Sequence, residues 1–189
     1  MLISIVYDSG NGHTARQAQA VAEGVGRVPG TRSMLIAVSD GLISWETLET
    51  SDAIIFGSPT YNGMLSAKLK QFFEDSTKTA WRELKWRNKI AAGFTNSGAH
   101  SGDKLNTLTS MALFAAQHAL IWVGLDLKPG HSRRNSSANE LNRLGSWLGT
   151  TAQSNMDDGP EDAPIESDLK TAAHLGHRVV EIARQFKKE

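Results

Sequence analysis

Apolar residues follow two alternating patterns along the chain: short uninterrupted runs, and longer stretches with a helical stripe. Leu2 to Tyr7 (LISIVY), Asp52 to Gly57 (DAIIFG) and Lys89 to Thr95 (KIAAGFT) lack polar alternation, as strands covered on both faces do. Met34 to Val38 and Ile121 to Leu125 read the same way. From His13 to about Arg27, Ala15, Ala18, Val21, Ala22 and Val25 form one stripe, and Pro29-Gly30 closes the helix. Ser66 to about Lys78 is a helix that turns Leu65, Leu69, Phe72 and Phe73 inward. Further helices are predicted over Ser44–Thr50, about Lys104–Leu120 and Ile165–Lys187. Residues 128–164 have no clear period and carry Gly, Pro, Asn and Ser, which predicts a long loop with at most a short helix.

Strands and helices thus alternate five times, the pattern of a parallel sheet covered on both faces. The expectation is a single domain over residues 1–189, a three-layer α/β fold of the flavodoxin-like kind. Its five-stranded parallel sheet would have the order 2-1-3-4-5. Ligands of such sheets sit beyond the carboxyl ends of the strands, where the order reverses. The loops after the first, third and fourth strands therefore carry the candidate site.

The first loop is Asp8-Ser9-Gly10-Asn11-Gly12-His13-Thr14. It combines small side chains, hydroxyls and a helix N-terminus, the elements of an anion cradle. It lacks the lysine of a Walker loop and the third glycine of a dinucleotide fingerprint. A cradle without a cation suits a single phosphate ester such as that of FMN. A plain strand–helix turn is the alternative. The second loop, Ser58-Pro59-Thr60-Tyr61-Asn62-Gly63, offers an aromatic and an amide that could flank a flat polar ring. The third, Asn96-Ser97-Gly98-Ala99-His100-Ser101-Gly102, has small residues whose backbone N–H groups could meet the pyrimidine edge of a flavin, where the reduced ring gathers negative charge.

Composition narrows the choice. The 20 basic and 20 acidic residues cancel, against the basic face that general nucleic-acid binding needs. With no cysteine, disulfides, thiolate metal sites and thiol nucleophiles are excluded, which suits a reducing cytoplasm. LISIVY stops at Asp8, too short for a signal segment or a membrane span.

Taken together, the three loops resemble the flavodoxin-like FMN-dependent NAD(P)H:quinone oxidoreductases of the WrbA type, over Leu2 to about Leu125. The family's phosphate loop has the form S-x-x-G-H, here Ser9 to His13, and its third strand and exit read here DAIIFGSPTYNG. The resemblance implies that FMN is held by Ser9–Thr14, Pro59–Gly63 and Asn96–Ser101. It also implies that Trp81, eight residues before Lys89, lines the substrate side and that His118 contacts the cofactor. NAD(P)H would be the co-substrate, a quinone-like molecule the acceptor, and the assembly a homodimer or homotetramer. The chain departs from the family at Asn11, which replaces an aromatic, at Tyr61-Asn62, which replace an arginine and an aromatic, and in a less glycine-rich third loop.

Several residues carry two readings. His118, read from the sequence alone, is a core histidine; the resemblance places it at the cofactor. His100 either faces the ligand or solvent. Trp81 and Trp86 either roof a substrate pocket or lie in a subunit interface. His174 and His177 share a helix face but lack a third ligand, so they read as surface residues and no metal is expected. His131, Arg133 and Arg134 form a basic cluster that either meets the 2′-phosphate of NADPH or is simply solvated. Two competing functions share the fold. An electron carrier of the flavodoxin type is disfavoured by zero net charge, since such carriers dock through acidic faces. A phosphoacceptor receiver domain would need an acidic cluster after the first strand and an aspartate ending the third. Only Asp8 stands at the first position, and Gly57-Ser58 at the second.

Overall fold

β1 (Leu2–Tyr7) lies between β2 (Arg32–Ala37) and β3 (Ala53–Tyr61), parallel to both, with Ile5 opposite Leu35 on one side and Ile55 on the other. The computed structural model describes residues 1–187. β5 (Ile90–Ser97) continues the sheet beyond β3, Phe56 facing Gly93 across the pair. The next position is filled twice. β6 (Ile121–Trp122) pairs with the start of β5, and β7 (Thr150–Gln153) pairs with its end, both parallel. The parallel order is therefore the expected 2-1-3-4-5, with its fifth strand broken by residues 123–149.

β7 corrects the expectation of a loop over 128–164. Its sequence TTAQ carries no apolar period. What makes it a strand is the free half of β5, which β6 leaves unpaired after Trp122. A further two-residue strand, β4 (Met64–Leu65), folds back antiparallel on the end of β3. The intervening Asn62 and Gly63 have φ of 50° and 76°. Two successive positive φ values make the tight turn whose twist matches a hairpin.

Successive side chains of each strand point to opposite faces, which gives two cores. Ile3, Ile5, Ala53 and Ile55 meet α1 (His13–Gly26) and α5 (Glu166–Phe186). Val6, Ile54 and Phe56 meet α2 (Trp45–Thr50), α3 (Ala67–Ser76) and α4 (Lys104–Gln117) on the other face. α1 and α5 touch backbone to backbone: a Cβ on Gly24 would lie 1.8 Å from the carbonyl oxygen of Ala173, and one on Gly176 2.1 Å from that of Val21. No helix among the described residues is long and apolar enough to cross a membrane. Gly24→Ala should push these helices apart and cost about 2–3 kcal/mol, the range of overpacked sites. A lowered urea midpoint with an unchanged slope is the expected readout.

Candidate functional site

The carboxyl ends of β1, β3, β5 and β7 converge on a cleft of about 460 Å³, within the range of small-molecule sites. Its first wall is the turn from β1 into α1. Asp8 donates its N–H to the carbonyl of Gly57 at 3.0 Å, fixing the strand end. Among the described residues, no acceptor meets the backbone N–H groups of Ser9 through Thr14. Donation resumes at Ala15, to Ser9 Oγ (3.1 Å), and at Arg16, to the Gly12 carbonyl (2.9 Å). Gly12 adopts φ 89°, open to glycine without strain, and Pro160 lies against it. A run of free donors at a helix N-terminus is an anion site.

The second wall is the β3–β4 hairpin. Ser58 Oγ accepts from Ser66 N–H and donates to the Pro59 carbonyl, each at 2.8 Å. Thr60 Oγ1 lies 2.8 Å from both Thr95 Oγ1 and Thr107 Oγ1, a buried hydroxyl cluster joining β3, β5 and α4 beneath the cleft. Asn106 donates to the Gly63 carbonyl at 2.8 Å. Tyr61 is 46% exposed and reaches across to the first loop, where its hydroxyl lies 2.2 Å from the position of a Cβ on Gly10.

In the third loop the carbonyls are taken up by side chains of the protein. Gln153 donates to the Gly98 carbonyl at 3.0 Å. Lys104 Nζ donates to those of Ala99 (2.6 Å) and His100 (2.9 Å), and Ser97 Oγ to that of Ala99 (3.0 Å). Gly102 and Asp103 follow with φ of 53° and 54°, curling the chain into α4. Burial pulls the Lys104 ammonium down to about 8.

Gly10, Asn11, His13, Thr14, Pro59 to Asn62 and Asn96 to Gly98 line the cleft together. Ser9 Oγ accepts from the N–H of Ala15 in the first turn of α1, Gly12 sits under Pro160, and Gly63 completes the hairpin turn. His100 and Ser101 edge a neighbouring groove with Lys104, Trp122 and Trp147, and Ala99 belongs to the curl behind. The segment after β7 also belongs to the site, and sequence reasoning missed it. Ser154 and Met156 line the cleft; Ser154 Oγ donates to Asn96 Oδ1 at 3.0 Å, and His13 Nε2 donates to the Asp158 carbonyl at 2.8 Å. The signal would have been β7 itself, because a loop at the carboxyl end of a fifth strand faces the same cleft.

His118 and Trp81 stand apart from these residues. His118 follows the last turn of α4. Its helix opens at the cleft end with Lys104, so it lies about 20 Å along the axis at 1.5 Å per residue. It is buried against Trp86 and Phe114. Ser76 Oγ donates to the Phe73 carbonyl at 2.7 Å and so accepts from His118 Nε2 at 3.0 Å, while His118 Nδ1 has no partner among the described residues. Burial pushes the imidazole down to about 4. Trp81, 46% exposed, donates to the Gln117 carbonyl at the same end of α4. Trp86 is a core residue, fully buried between Trp45, Phe72 and Phe114, and neither roofs a pocket nor meets solvent. His131, Arg133 and Arg134 are exposed and line none of the cleft; His174 bonds Asp126 at 2.6 Å.

A family model described as NADPH-dependent FMN reductase matches residues 44–124. The chain is 38% identical to "Flavodoxin FldP" of Pseudomonas aeruginosa over 96% of both chains. It is 35% identical to an Archaeoglobus fulgidus "NAD(P)H dehydrogenase (quinone)" over 97% of this chain and 98% of that one. A crystal structure of a "flavodoxin, WrbA-like protein" from Agrobacterium tumefaciens superposes with a TM-score of 0.77 at 38% identity, covering 98% of this chain and 99% of that one. The chain belongs to the flavodoxin-like family of FMN-dependent NAD(P)H:quinone oxidoreductases of the WrbA type.

The buried histidine yields a test of its own. A neutral imidazole with a depressed folded-state value contributes stability that is complete above pH 6.5 and lost as pH falls toward 4, up to about 3 kcal/mol. Urea unfolding across that window should show the loss, and His118→Phe should flatten it.

Proposed function

We propose that the cleft holds FMN and that the protein carries electrons from NAD(P)H to a quinone-like acceptor. The observation that carries this is the run of unpartnered N–H groups from Ser9 to Thr14 at the start of α1, a cradle that fits a phosphate ester without a lysine. Thr14 and Asn11 would add side-chain donors, Tyr61 would stand beside the ring, and the third loop would meet the ring's polar edge. When bound, FMN supplies the chemistry, accepting a hydride from the nicotinamide and passing two electrons on. The residues of this chain bind and orient it; the protons a quinone needs come from solvent at this open cleft.

Two features extend the reading. Trp81 is exposed at an end of α4 remote from the cleft, and we assign that face and His118's end of the molecule to contact with another copy, in a homodimer or homotetramer. A chain free of cysteine that draws on NAD(P)H fits the cytoplasm.

Anaerobic absorbance titration of the FMN-loaded protein tests the activity. Bleaching of the flavin band by NADPH or NADH, with recovery on benzoquinone, is expected. Stable FMN binding without bleaching by either nucleotide would make the protein an electron carrier fed by a partner, as the name of the Pseudomonas relative suggests for that protein. Thr14→Val should weaken FMN about tenfold, the worth of one hydrogen bond to a charged group, as read by fluorescence quenching. Gel filtration should show an oligomer; a monomer at micromolar concentration would remove the assembly.

A further inference from the structure

Lys104 is buried, and its ammonium has no carboxylate within ion-pairing distance among the described residues. Its partners are the carbonyls of Ala99 and His100. The charged groups nearest it from other elements are Asp168 of α5 and Arg143 of the segment between β6 and β7. These two satisfy each other: Arg143 Nε and Nη2 each donate to the Asp168 carboxylate at 2.8 Å, and Gln153 N–H adds a third bond at 3.0 Å. Asp103 is its only acidic neighbour in sequence. The Asp168 and Arg143 charges act on Lys104 in opposite directions, and the ammonium remains a buried cation in excess. Such a group is costly unless an anion offsets it.

In a trans peptide the carbonyl and the N–H point in opposite directions. Where Lys104 draws the carbonyls of Ala99 and His100 toward itself, the N–H groups of His100 and Ser101 face away from it. Gln153 holds the Gly98 carbonyl, so the N–H of Ala99 faces away from Gln153. None of these donors, nor that of Gly98, has an acceptor among the described residues. The loop is a run of free donors beside a buried cation; it starts at the cleft with Gly98 and continues along the neighbouring groove at His100 and Ser101.

We propose that Lys104 is a positioning residue: it holds the third loop with its N–H groups outward and supplies the positive charge that makes this edge favour an electron-rich ring. The inference rests on the reading that the cleft holds FMN. The reduced ring carries the negative charge that the oxidised ring lacks, so Lys104 should strengthen binding of the reduced form more than of the oxidised form. Because burial lowers the ammonium to about 8, this preference should fade as pH rises through that value.

The test compares the wild type with Lys104→Met, which keeps the stem, and Lys104→Arg, which keeps the charge. Oxidised FMN is titrated by fluorescence quenching, and the midpoint potential of the bound flavin is measured from pH 7 to 9.5. Lys104→Met should bind reduced FMN about tenfold more weakly relative to oxidised FMN. That ratio lowers a two-electron potential by about 30 mV. Lys104→Arg should restore part of the difference. In the wild type an inflection near pH 8 is expected, with proton uptake on binding of reduced FMN at pH 8.5; Lys104→Met should show neither. Equal potentials and equal pH profiles for wild type and Lys104→Met would overturn the proposal while leaving FMN binding intact. If the variants do not fold, a wild-type profile without the inflection and without proton uptake overturns it. Failure of the wild type to take up FMN removes the underlying reading, and this proposal with it.

Discussion

A peptide N–H that finds no acceptor is a strong, obligatory donor left waiting. Among the described residues, two loops at one sheet edge each hold a run of them, Ser9 to Thr14 and Gly98 to Ser101. The surroundings keep them free by occupying the other half of each peptide or the groups that would compete. Ser9 spends its hydroxyl on Ala15, Gln153 and Lys104 claim the third loop's carbonyls, and Ser58 fixes the hairpin between the two loops. The threonine cluster of β3, β5 and α4 then holds the two strand ends at a fixed spacing. The site is thus mostly backbone, and its side chains act largely as scaffolding.

That economy explains a pattern in the polar residues. The buried Asp168–Arg143 pair lines none of the cleft, yet it anchors Gln153, whose amide reaches the Gly98 carbonyl. Asn96 is held by Ser154 and His13 by Asp158. The segment after β7 therefore ties the first and third loops together from one side.

The parallel sheet, its order and the three loops at its carboxyl edge were legible in the sequence, because uninterrupted runs such as LISIVY and DAIIFG belong to strands buried on both faces and mark where the loops begin. β7 was not. TTAQ is short and has no apolar period, its two β-branched threonines are too little to mark a strand, and its pairing is dictated by a vacancy on β5. Missing β7 meant missing Ser154 and Met156. His118 carried two readings. Its core reading from sequence agrees with its contacts to Trp86 and Ser76, at the end of α4 away from the cleft, whereas the family resemblance implies a contact with the cofactor. Nothing in the sequence distinguishes Trp86, sealed in the core, from the exposed Trp81 five residues earlier.

The interruption of the fifth strand also bears on how the molecule meets its own kind during folding. β6 has two residues and β7 four, and they are offset along β5 by the intervening residues 123–149. An unbroken edge strand would present a continuous ladder of free peptide groups to any neighbouring sheet. Two short pieces present none long enough to template a stranger, and the segment between them folds back over the break, with Leu125 bonding the Trp147 carbonyl at 2.8 Å. The same interruption that lets β7 deliver its loop to the cleft therefore blunts one sheet edge against aggregation.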